Sequence, residues 1–224
     1  MTRVAIYYAP SLSDPLWEAG ARWLGRDPES NAAIPQPDIA GIAEITADPR
    51  MYGFHATLKP PMALRSGTSW DRLVTEAEDM ASRIAPFDLP RLEISNLHGF
   101  LALTDAKPSA ALQALADDCV VKLDHFRAEP SEAEFARRRR SRLTDPQEAN
   151  LVRYGYPYVL DTWFFHMTLT RRMNADQHAV VRPYVEAMFA DALQAPRLVA
   201  DICLYTQAAM GAPFRLAERL ALRG

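Results

Sequence analysis

Two short segments of the chain repeat the same order of residue types, with a histidine second and a threonine fourth. The first reads Phe-His-Ala-Thr-Leu over residues 54–58, and the second reads Phe-His-Met-Thr-Leu over residues 165–169. An imidazole near its ordinary pKa of ~6.5 can take or give a proton at neutral pH, and a pair can divide these roles between an attacking and a leaving oxygen. The repeat therefore indicates a site for acid–base chemistry that contains His55 and His166.

Side-chain alternation along a strand decides what accompanies each histidine. In an extended strand His55 and Thr57 share one face, and His166 and Thr168 repeat the arrangement. The apolar residues between them point the other way and can anchor each strand in a core. Threonine hydroxyls can donate hydrogen bonds to phosphoryl oxygens. Two such strands are therefore suited to form one cleft for a phosphate group.

Further polar and aromatic side chains flank the two motifs. Lys59 follows the first motif and Arg172 extends the polar face of the second, so each is a candidate to bind substrate phosphate. A solvated strand end explains both equally well, because a twist or the bend at Pro60 would turn them away. Tyr156 is a candidate to stack on a base or a sugar, although ordinary packing is the more common role of such a residue.

A basic run, Arg137–Arg140, lies within a strongly charged segment that is predicted to be helical. The run could lean over a cleft and attract a polyanion. Acidic residues surround it, however, and a solvated helix face is the favoured interpretation.

The remaining histidines and a metal site receive no support from the sequence. His98, His125 and His178 lack a threonine partner, so no chemistry is assigned to them. A metal site built from the two motif histidines and Asp161 has no supporting ligand spacing.

Hydrophobic periodicity and turn residues predict the elements that must position the motifs. The predicted strands are Val4–Tyr8, Met51–Leu64, Leu89–Ser95, Gly99–Thr104, Tyr156–Leu160, Trp163–Arg172, Leu198–Thr206 and Phe214–Leu220. The predicted helices are Pro15–Leu24, a short one near Ile39–Ile45, Trp70–Ile84, Pro108–Phe126, Glu132–Arg142, Thr144–Val152 and Asp176–Leu193. Each half contains a strand, a helix and a hairpin, which favours a duplicated α+β fold over a doubly wound parallel sheet.

Composition limits the classes of protein that the chain can represent. Its 224 residues are 49% hydrophobic and 24% charged, with a formal net charge of −3, so there is no global basic field for nucleic-acid backbone. Cys119 and Cys203 lie in apolar segments without metal-like spacing and are expected to be buried thiols in a reducing cytoplasm. No apolar run approaches the ~18 residues of a membrane span, so we expect a cytoplasmic protein without a membrane partner.

The two segments Gly-Phe-His-Ala-Thr-Leu-Lys-Pro and Phe-Phe-His-Met-Thr-Leu-Thr-Arg make the chain similar to the 2H phosphoesterase superfamily. The resemblance is greatest to a branch of poorly characterised proteins associated with phosphonate-utilisation operons. It implies one bilobal α+β domain over residues 1–224, with pseudo-two-fold symmetry. Each lobe would be an antiparallel sheet with helices on the outside, and the cleft would lie between the lobes. It also implies chemistry without metal or cofactor on cyclic phosphates or 2′-linked phosphodiesters.

The resemblance further implies a role for each motif residue. His55 and His166 would be the general acid–base pair, while Thr57 and Thr168 would hold the non-bridging phosphate oxygens. The opening strand would neighbour the motif strands and bring either Tyr7 or Tyr8 toward the cleft, since the two lie on opposite faces, and Tyr7 is the slightly favoured candidate. Which histidine is the base stays open at this point.

Three functions are compatible with the motifs. The leading hypothesis is a hydrolase whose partner is a small phosphorylated substrate, either a cyclic phosphate or a small phosphodiester. The second is a binding module that captures a nucleotide or an RNA end without hydrolysis. The third is the reverse, end-joining reaction, which uses the same groups. The oligomeric state is also open.

Overall fold

Strands at the centre and helices around them make up the fold, which the computed structural model describes for residues 3–224. The nine described strands are β1 (Arg3–Tyr8), β2 (Ala56–Met62), β3 (Phe87–Leu89), β4 (Leu92–Leu97), β5 (Phe100–Asp105), β6 (His166–Thr168), β7 (Arg197–Val199), β8 (Asp201–Gln207) and β9 (Phe214–Ala221). The eight described α-helices are α1 (Pro15–Leu24), α2 (Ile42–Ile45), α3 (Ala47–Tyr52), α4 (Trp70–Ser82), α5 (Ala110–Lys122), α6 (Glu132–Arg139), α7 (Asp145–Tyr154) and α8 (Ala175–Phe189).

Seven of these strands form one sheet in the order β4-β5-β6-β2-β1-β8-β9, and β3 and β7 form a separate pair. Every described pairing is antiparallel, so the expected α+β class with antiparallel sheets is confirmed. One side of the sheet, β4-β5-β6, carries the second motif, and the other side, β2-β1-β8-β9, carries the first. The two sides join where β2 pairs with β6 through Ala56 and Met167. The two motif strands are therefore direct neighbours at the centre of the sheet.

Alternation along the motif strands places one face in the main core. Ala56 and Leu58 of β2, and Met167 in β6, are fully buried, as is Leu169 just beyond β6. Burying a side chain the size of leucine contributes about 1.5–3 kcal/mol, so this face holds both strands in place. The histidines and threonines on the opposite face are only half-buried.

Helix α1 fixes the ends of both motif strands. A side chain at Gly20 would place its Cβ 2.2 Å from the Phe54 ring, so only glycine lets this ring pack directly against the helix. Trp23, which is fully buried, donates its indole N–H to the carbonyl oxygen of Leu169 at 2.9 Å. One helix thus holds the residue before His55 and the residue after Thr168.

Local capping defines the helices α6 and α7, which carry the charged segment. Ser131 and Glu134 form a capping box at the start of α6, and Thr144 and Gln147 form one at the start of α7. Helix α7 ends at Gly155, whose φ of 71° is a left-handed conformation that glycine adopts without strain. The backbone can therefore turn sharply there and direct the following aromatic segment toward the sheet.

The structure corrects the predicted strand Tyr156–Leu160, which is irregular and leads into a short 3₁₀ helix, Leu160–Thr162. Pro157 has no N–H to donate to a neighbouring strand. Side chains satisfy the backbone instead, since Asn150 donates to the carbonyl oxygen of Val159 at 2.8 Å and the Thr162 hydroxyl donates to that of Pro157.

Both predicted motif strands are shorter than expected. The first begins at Ala56 because helix α3 occupies residues 47–52 and ends at Gly53, where φ is 80°. The second is confined to His166–Thr168. Strand β2 continues through Pro60 and Pro61, and its pairing with β1 shifts register on either side of Ile6. This bulge accommodates residues that cannot donate a backbone hydrogen bond.

Cys119 and Cys203 are buried and free. Within residues 3–224, no helix has the length and apolar composition needed to span a membrane.

Candidate active site

The four motif side chains occupy one face of the β2–β6 pair. Ala56 pairs with Met167 in antiparallel register, so continuing this register sets His55 opposite Thr168 and Thr57 opposite His166. Residues directly opposite in such a pair have Cβ atoms about 4.5–5.5 Å apart. Each histidine therefore lies beside the threonine of the other motif, and the four polar groups form one compact cluster.

Both imidazoles are anchored in the same way. The Nδ1 atom of His55 donates to the carbonyl oxygen of Gly53 at 2.9 Å, and that of His166 donates to the carbonyl oxygen of Phe164 at 3.1 Å. A carbonyl only accepts, so Nδ1 carries the proton in each neutral ring and Nε2 has a free lone pair. The Thr57 hydroxyl lies 3.2 Å from Nε2 of His55 and can donate to it. Each ring thus keeps Nε2 for proton transfer.

Burial lowers the pKa of both histidines. The pKa of His55 falls to about 4 through loss of hydration, and the neighbouring His166 lowers it further, while the hydrogen bond to Gly53 acts in the opposite direction. Loss of hydration also lowers the pKa of His166, against the effect of its bond to Phe164. Both imidazoles are therefore neutral at pH 7 when no anion lies between them.

Two adjoining cavities open at this cluster, with one histidine in each. The smaller, about 250 Å³, is lined by His55 and Thr168, and the larger, about 640 Å³, is lined by His166 and Thr57. Arg172 lines both cavities, as does one aromatic ring of β5. The division follows the strand register, because each cavity contains a histidine and the threonine opposite it. A phosphate at the junction would be within reach of both motifs.

Tyr7 packs against one of the two motif histidines. Its ring stacks on the His55 imidazole with the ring centroids 3.7 Å apart, and it is fully buried. The Tyr7 hydroxyl finds no hydrogen-bond partner among the described residues. Tyr8 lies on the other face, where its ring is 5.9 Å from that of Phe165. Of the two tyrosines, Tyr7 therefore contacts the catalytic candidate and limits where its ring can move.

The structure corrects the placement of Lys59, which the sequence offered as a substrate-binding residue. Its side chain is buried, and the ammonium donates to the carbonyl oxygen of Val120 at 3.0 Å and to Asp124 Oδ1 at 3.1 Å. The bulge beside Ile6 interrupts the alternation that holds for His55, so Lys59 no longer follows the histidine face. Lys59 connects β2 to the segment after α5 instead.

The other two substrate-binding candidates do line the cavities. Arg172 is exposed at the junction, and its guanidinium makes no ion pair with any residue in the range 3–224. Arg171 points elsewhere, since its guanidinium bonds Glu44 Oε1 at 2.6 Å. Tyr156 lines the larger cavity, and the guanidinium of Arg138 lies over its ring at 4.4 Å. The expectation that the basic run simply faces solvent is thus corrected for Arg138.

Several residues at the site carried no sequence signal of their own. Trp163 lines the larger cavity and donates its indole N–H to the carbonyl oxygen of Thr57 at 2.8 Å, which ties the approach of the second motif to the first. Phe100 follows the turn of the β4–β5 hairpin and lines both cavities. An aromatic residue three positions before His166 was the only available hint for Trp163, and nothing marked Phe100.

The described part of the chain contains no group of three or more His, Cys, Asp and Glu side chains placed to hold a metal ion. Asp161, considered above as a third ligand, instead accepts a hydrogen bond from Asn150 at 3.0 Å.

The fold and the site together define an α+β protein in which two neighbouring strands present paired His-x-Thr motifs to adjoining cavities. A family profile described as "Protein of unknown function (DUF1045)" matches residues 57–215, which include Thr57 and the whole second motif, while His55 lies just before the matched range. The chain belongs to this family. The assignment agrees with the poorly characterised branch inferred from the motifs.

Two curated relatives share the name ribose 1,5-bisphosphate phosphokinase PhnN. The protein of Janthinobacterium sp. (strain Marseille) is 38% identical over 233 residues, an alignment that covers 100% of this chain and 51% of the relative. The protein of Laribacter hongkongensis (strain HLHK9) is 33% identical over 216 residues, covering 96% of this chain and 50% of the relative. The chain thus spans about half the length of the curated relatives that it matches.

Solved structures with a similar overall fold include one described as a phosphoesterase, with 13% identity, a TM-score of 0.47 and full coverage of both chains. E. coli LigT in its apo form has 13% identity and a TM-score of 0.47, and its complex with 3′-AMP has 14% identity and a TM-score of 0.46. Both LigT alignments cover 100% of this chain and 98% of LigT.

Proposed function

We propose that the chain is a phosphoesterase that opens a cyclic phosphate or cleaves a small phosphodiester, with His55 and His166 as its acid–base pair and without a metal ion. One observation carries the proposal. The β2–β6 register sets each histidine opposite the other motif's threonine, while matching Nδ1 bonds to backbone carbonyls leave the Nε2 lone pair of each ring as the proton acceptor. In acid–base cleavage of a phosphoester, one such group can take a proton from the attacking water while the other gives a proton to the leaving oxygen.

The two histidines divide the reaction as follows. Nε2 of His55 takes a proton from water, the water oxygen attacks phosphorus, and the bond from phosphorus to the leaving oxygen breaks. Nε2 of His166 gives its proton to that oxygen, which leaves as a hydroxyl. The low pKa of His55 supports its role as base, and the larger cavity beside His166 has room for the leaving part. A bound phosphate anion favours the protonated imidazole and so charges His166 in the complex.

The threonines stabilise the phosphate during this step. Their hydroxyls donate to the two non-bridging oxygens, where negative charge accumulates as the water attacks. Thr57→Val or Thr168→Val, each nearly isosteric, is expected to lower kcat/KM about 10- to 100-fold, because a hydrogen bond to a charged group contributes about 1.5–3 kcal/mol. Thr75→Val on the exposed side of α4 is the matched control and should leave kcat/KM unchanged. Equal kcat/KM values in all three variants would show that the threonine hydroxyls do not take part in the reaction.

The proposed substrate is a cyclic phosphate of a ribose. The relatives' name contains ribose 1,5-bisphosphate, and the motifs resemble those of proteins from phosphonate operons. A volume of about 640 Å³ suits a small ligand of this kind. The kinase activity in the relatives' name is not carried over, because it belongs to proteins twice as long as this chain.

Aromatic walls favour a second candidate substrate, a nucleoside 2′,3′-cyclic phosphate or an RNA end. Tyr156, Tyr158 and Trp163 line the larger cavity, where a base could stack on one of them. The same site could bind such a ligand without hydrolysis or run the reverse, joining reaction.

Phosphorus NMR distinguishes these candidates directly. Purified protein is incubated with a ribose cyclic phosphate, a nucleoside 2′,3′-cyclic phosphate and a linear dinucleotide. We expect the resonance of at least one cyclic phosphate to be replaced by that of a monoester. If all three substrates persist while the folded protein binds them, the hydrolase proposal fails and the binding module is favoured.

The free enzyme is expected to have its kcat/KM optimum below pH 6.5. His55, with a pKa of about 4, is a deprotonated base above that pH, and kcat/KM falls below it as the base becomes protonated. His166 must start protonated, and its pKa lies below 6.5, so kcat/KM also falls as the pH rises through that value. A pH–rate profile, with circular dichroism to check folding at each pH, measures this. An optimum above pH 7 would contradict the proposed roles.

A further inference from the structure

Arg138 differs from the other arginines of its run. Helix α6 has no buried residue, and Arg137, Arg139 and Arg140 are exposed. Arg138 alone in the run is half-buried, with its guanidinium carbon 4.4 Å from the centroid of the Tyr156 ring. Arg139 forms an ion pair with Glu148, with 2.7 Å between Nη2 of the arginine and Oε1 of the glutamate. The helix thus places one particular arginine over Tyr156, which lines the larger cavity, although Arg138 itself is not among the lining residues.

The charged residues that line the larger cavity differ from those of the whole protein, whose formal net charge is −3. No aspartate or glutamate is among its described lining residues, whereas His166, His98 and Arg172 are. Neither Arg138 nor Arg172 forms an ion pair with any described residue. Arg172 in the lining, and Arg138 over Tyr156, therefore bring positive charge to a space whose described lining contains no carboxylate, and an anion is the ligand that such a site favours.

The position of Arg138 suits phosphate recognition. Contact with the Tyr156 ring and a side-chain hydrogen bond to Tyr156 restrict the guanidinium, while its remaining N–H groups can donate to a ligand. Those groups can bind two oxygens of one phosphate at the same time. Ser141 and Gln147 also line the larger cavity and offer additional donors.

We propose that Arg138 is a specificity-determining residue that binds a second phosphate of the substrate, a phosphomonoester separate from the phosphate that reacts between the histidines. This inference rests on the proposed function and narrows its substrate class to sugar phosphates or nucleotides that carry two phosphate groups. The reacting phosphate occupies the junction of the two cavities. The second one lies in the larger cavity beside Tyr156, within reach of the guanidinium that Arg138 holds over this ring.

The test compares two substrates that differ only in the second phosphate. One is a ribose cyclic phosphate with a phosphate at C5, and the other has a free hydroxyl there. Arg138→Ala is expected to raise KM about 10- to 100-fold for the first, as befits a charge-assisted contact, with kcat unchanged. KM for the second should stay nearly constant. Arg138→Lys keeps the charge without the bidentate geometry and should give an intermediate KM.

Arg140→Ala is the matched control, because it removes the same charge from an exposed position of the same run. It should leave both substrates unaffected. The inference is overturned if Arg138→Ala changes KM equally for the two substrates, or if Arg140→Ala reproduces its effect, since the run would then act only through its general field.

A binding measurement separates this inference from the proposed function. Calorimetric titration with ribose 5-phosphate is made on the His55→Ala/His166→Ala protein with and without Arg138→Ala. Weaker binding without Arg138 supports the inference even if the wild type hydrolyses nothing, in which case only the proposed function fails. Unchanged affinity together with active hydrolysis overturns the inference and leaves the proposed function standing.

Discussion

His55→Ala and His166→Ala are each expected to lower kcat about 10²–10⁴-fold, the usual contribution of a positioned proton carrier. Each change removes one of the two Nε2 atoms that the β2–β6 register brings to the junction of the cavities. Steady-state hydrolysis of the substrate identified by phosphorus NMR measures the loss. The double variant should lose little more than either single one, because two groups that act in one step are not additive.

His125→Ala is the control for the loss of an imidazole. His125 lies in a short 3₁₀ helix, where its Nε2 is 2.9 Å from Glu76 Oε2, and it lines neither cavity at the motifs. This variant should keep wild-type kcat. Thermal unfolding of all variants guards against misfolding, since His55→Ala also removes the ring on which Tyr7 stacks. Near-normal kcat in a folded His55 or His166 variant would refute the acid–base pair.

Asp124→Ala is expected to lower the free energy of unfolding by about 3–5 kcal/mol, the usual effect of removing one partner of a buried ion pair. It would leave the Lys59 ammonium, which is 2% exposed, with the Val120 carbonyl as its one remaining hydrogen-bond partner among the described residues. Burial already lowers the pKa of Lys59, and Asp124 opposes that effect. Arg127 would lose two further bonds to the same carboxylate. Urea unfolding measures the change.

Asp118→Ala provides the comparison, because Asp118 pairs with the exposed Lys122 one turn away on α5, at 2.8 Å. Such surface pairs contribute only about 0.2–1 kcal/mol. The folded fraction of Asp124→Ala should retain wild-type kcat, since Lys59 lies away from the histidines. A similar, small loss of stability in both variants would show that the buried pair is unimportant. A large loss of kcat in folded Asp124→Ala would show that Lys59 contributes to the reaction.

The motifs predicted the centre of the site because a two-residue alternation fixes which side chains share a face. His55 with Thr57 and His166 with Thr168 needed only an extended backbone, and the apolar residues between them are buried as expected. The crossed arrangement, in which each histidine lies opposite the other motif's threonine, depends on the register of β2 against β6. Register is a property of pairing across the chain, so neither segment alone could indicate it.

Residues around the motifs were harder to assign for local physical reasons. A bulge in β2 removed Lys59 from the histidine face, although regular alternation placed it there. Pro157 and a network of side-chain hydrogen bonds replaced the predicted strand before Thr162 with irregular backbone. The sequence could not distinguish Arg138 from the other three arginines of its run, because only the packing of α6 beside Tyr156 sets it apart.

The most direct test of the central claim is hydrolysis of cyclic ribose and nucleoside phosphates in EDTA, by the wild type and by His55→Ala/His166→Ala. The proposal of two-histidine catalysis without a metal predicts that the wild type converts at least one cyclic phosphate to a monoester in the presence of the chelator, and that the double variant does not. Turnover that disappears with EDTA, or that persists in the double variant, would contradict it.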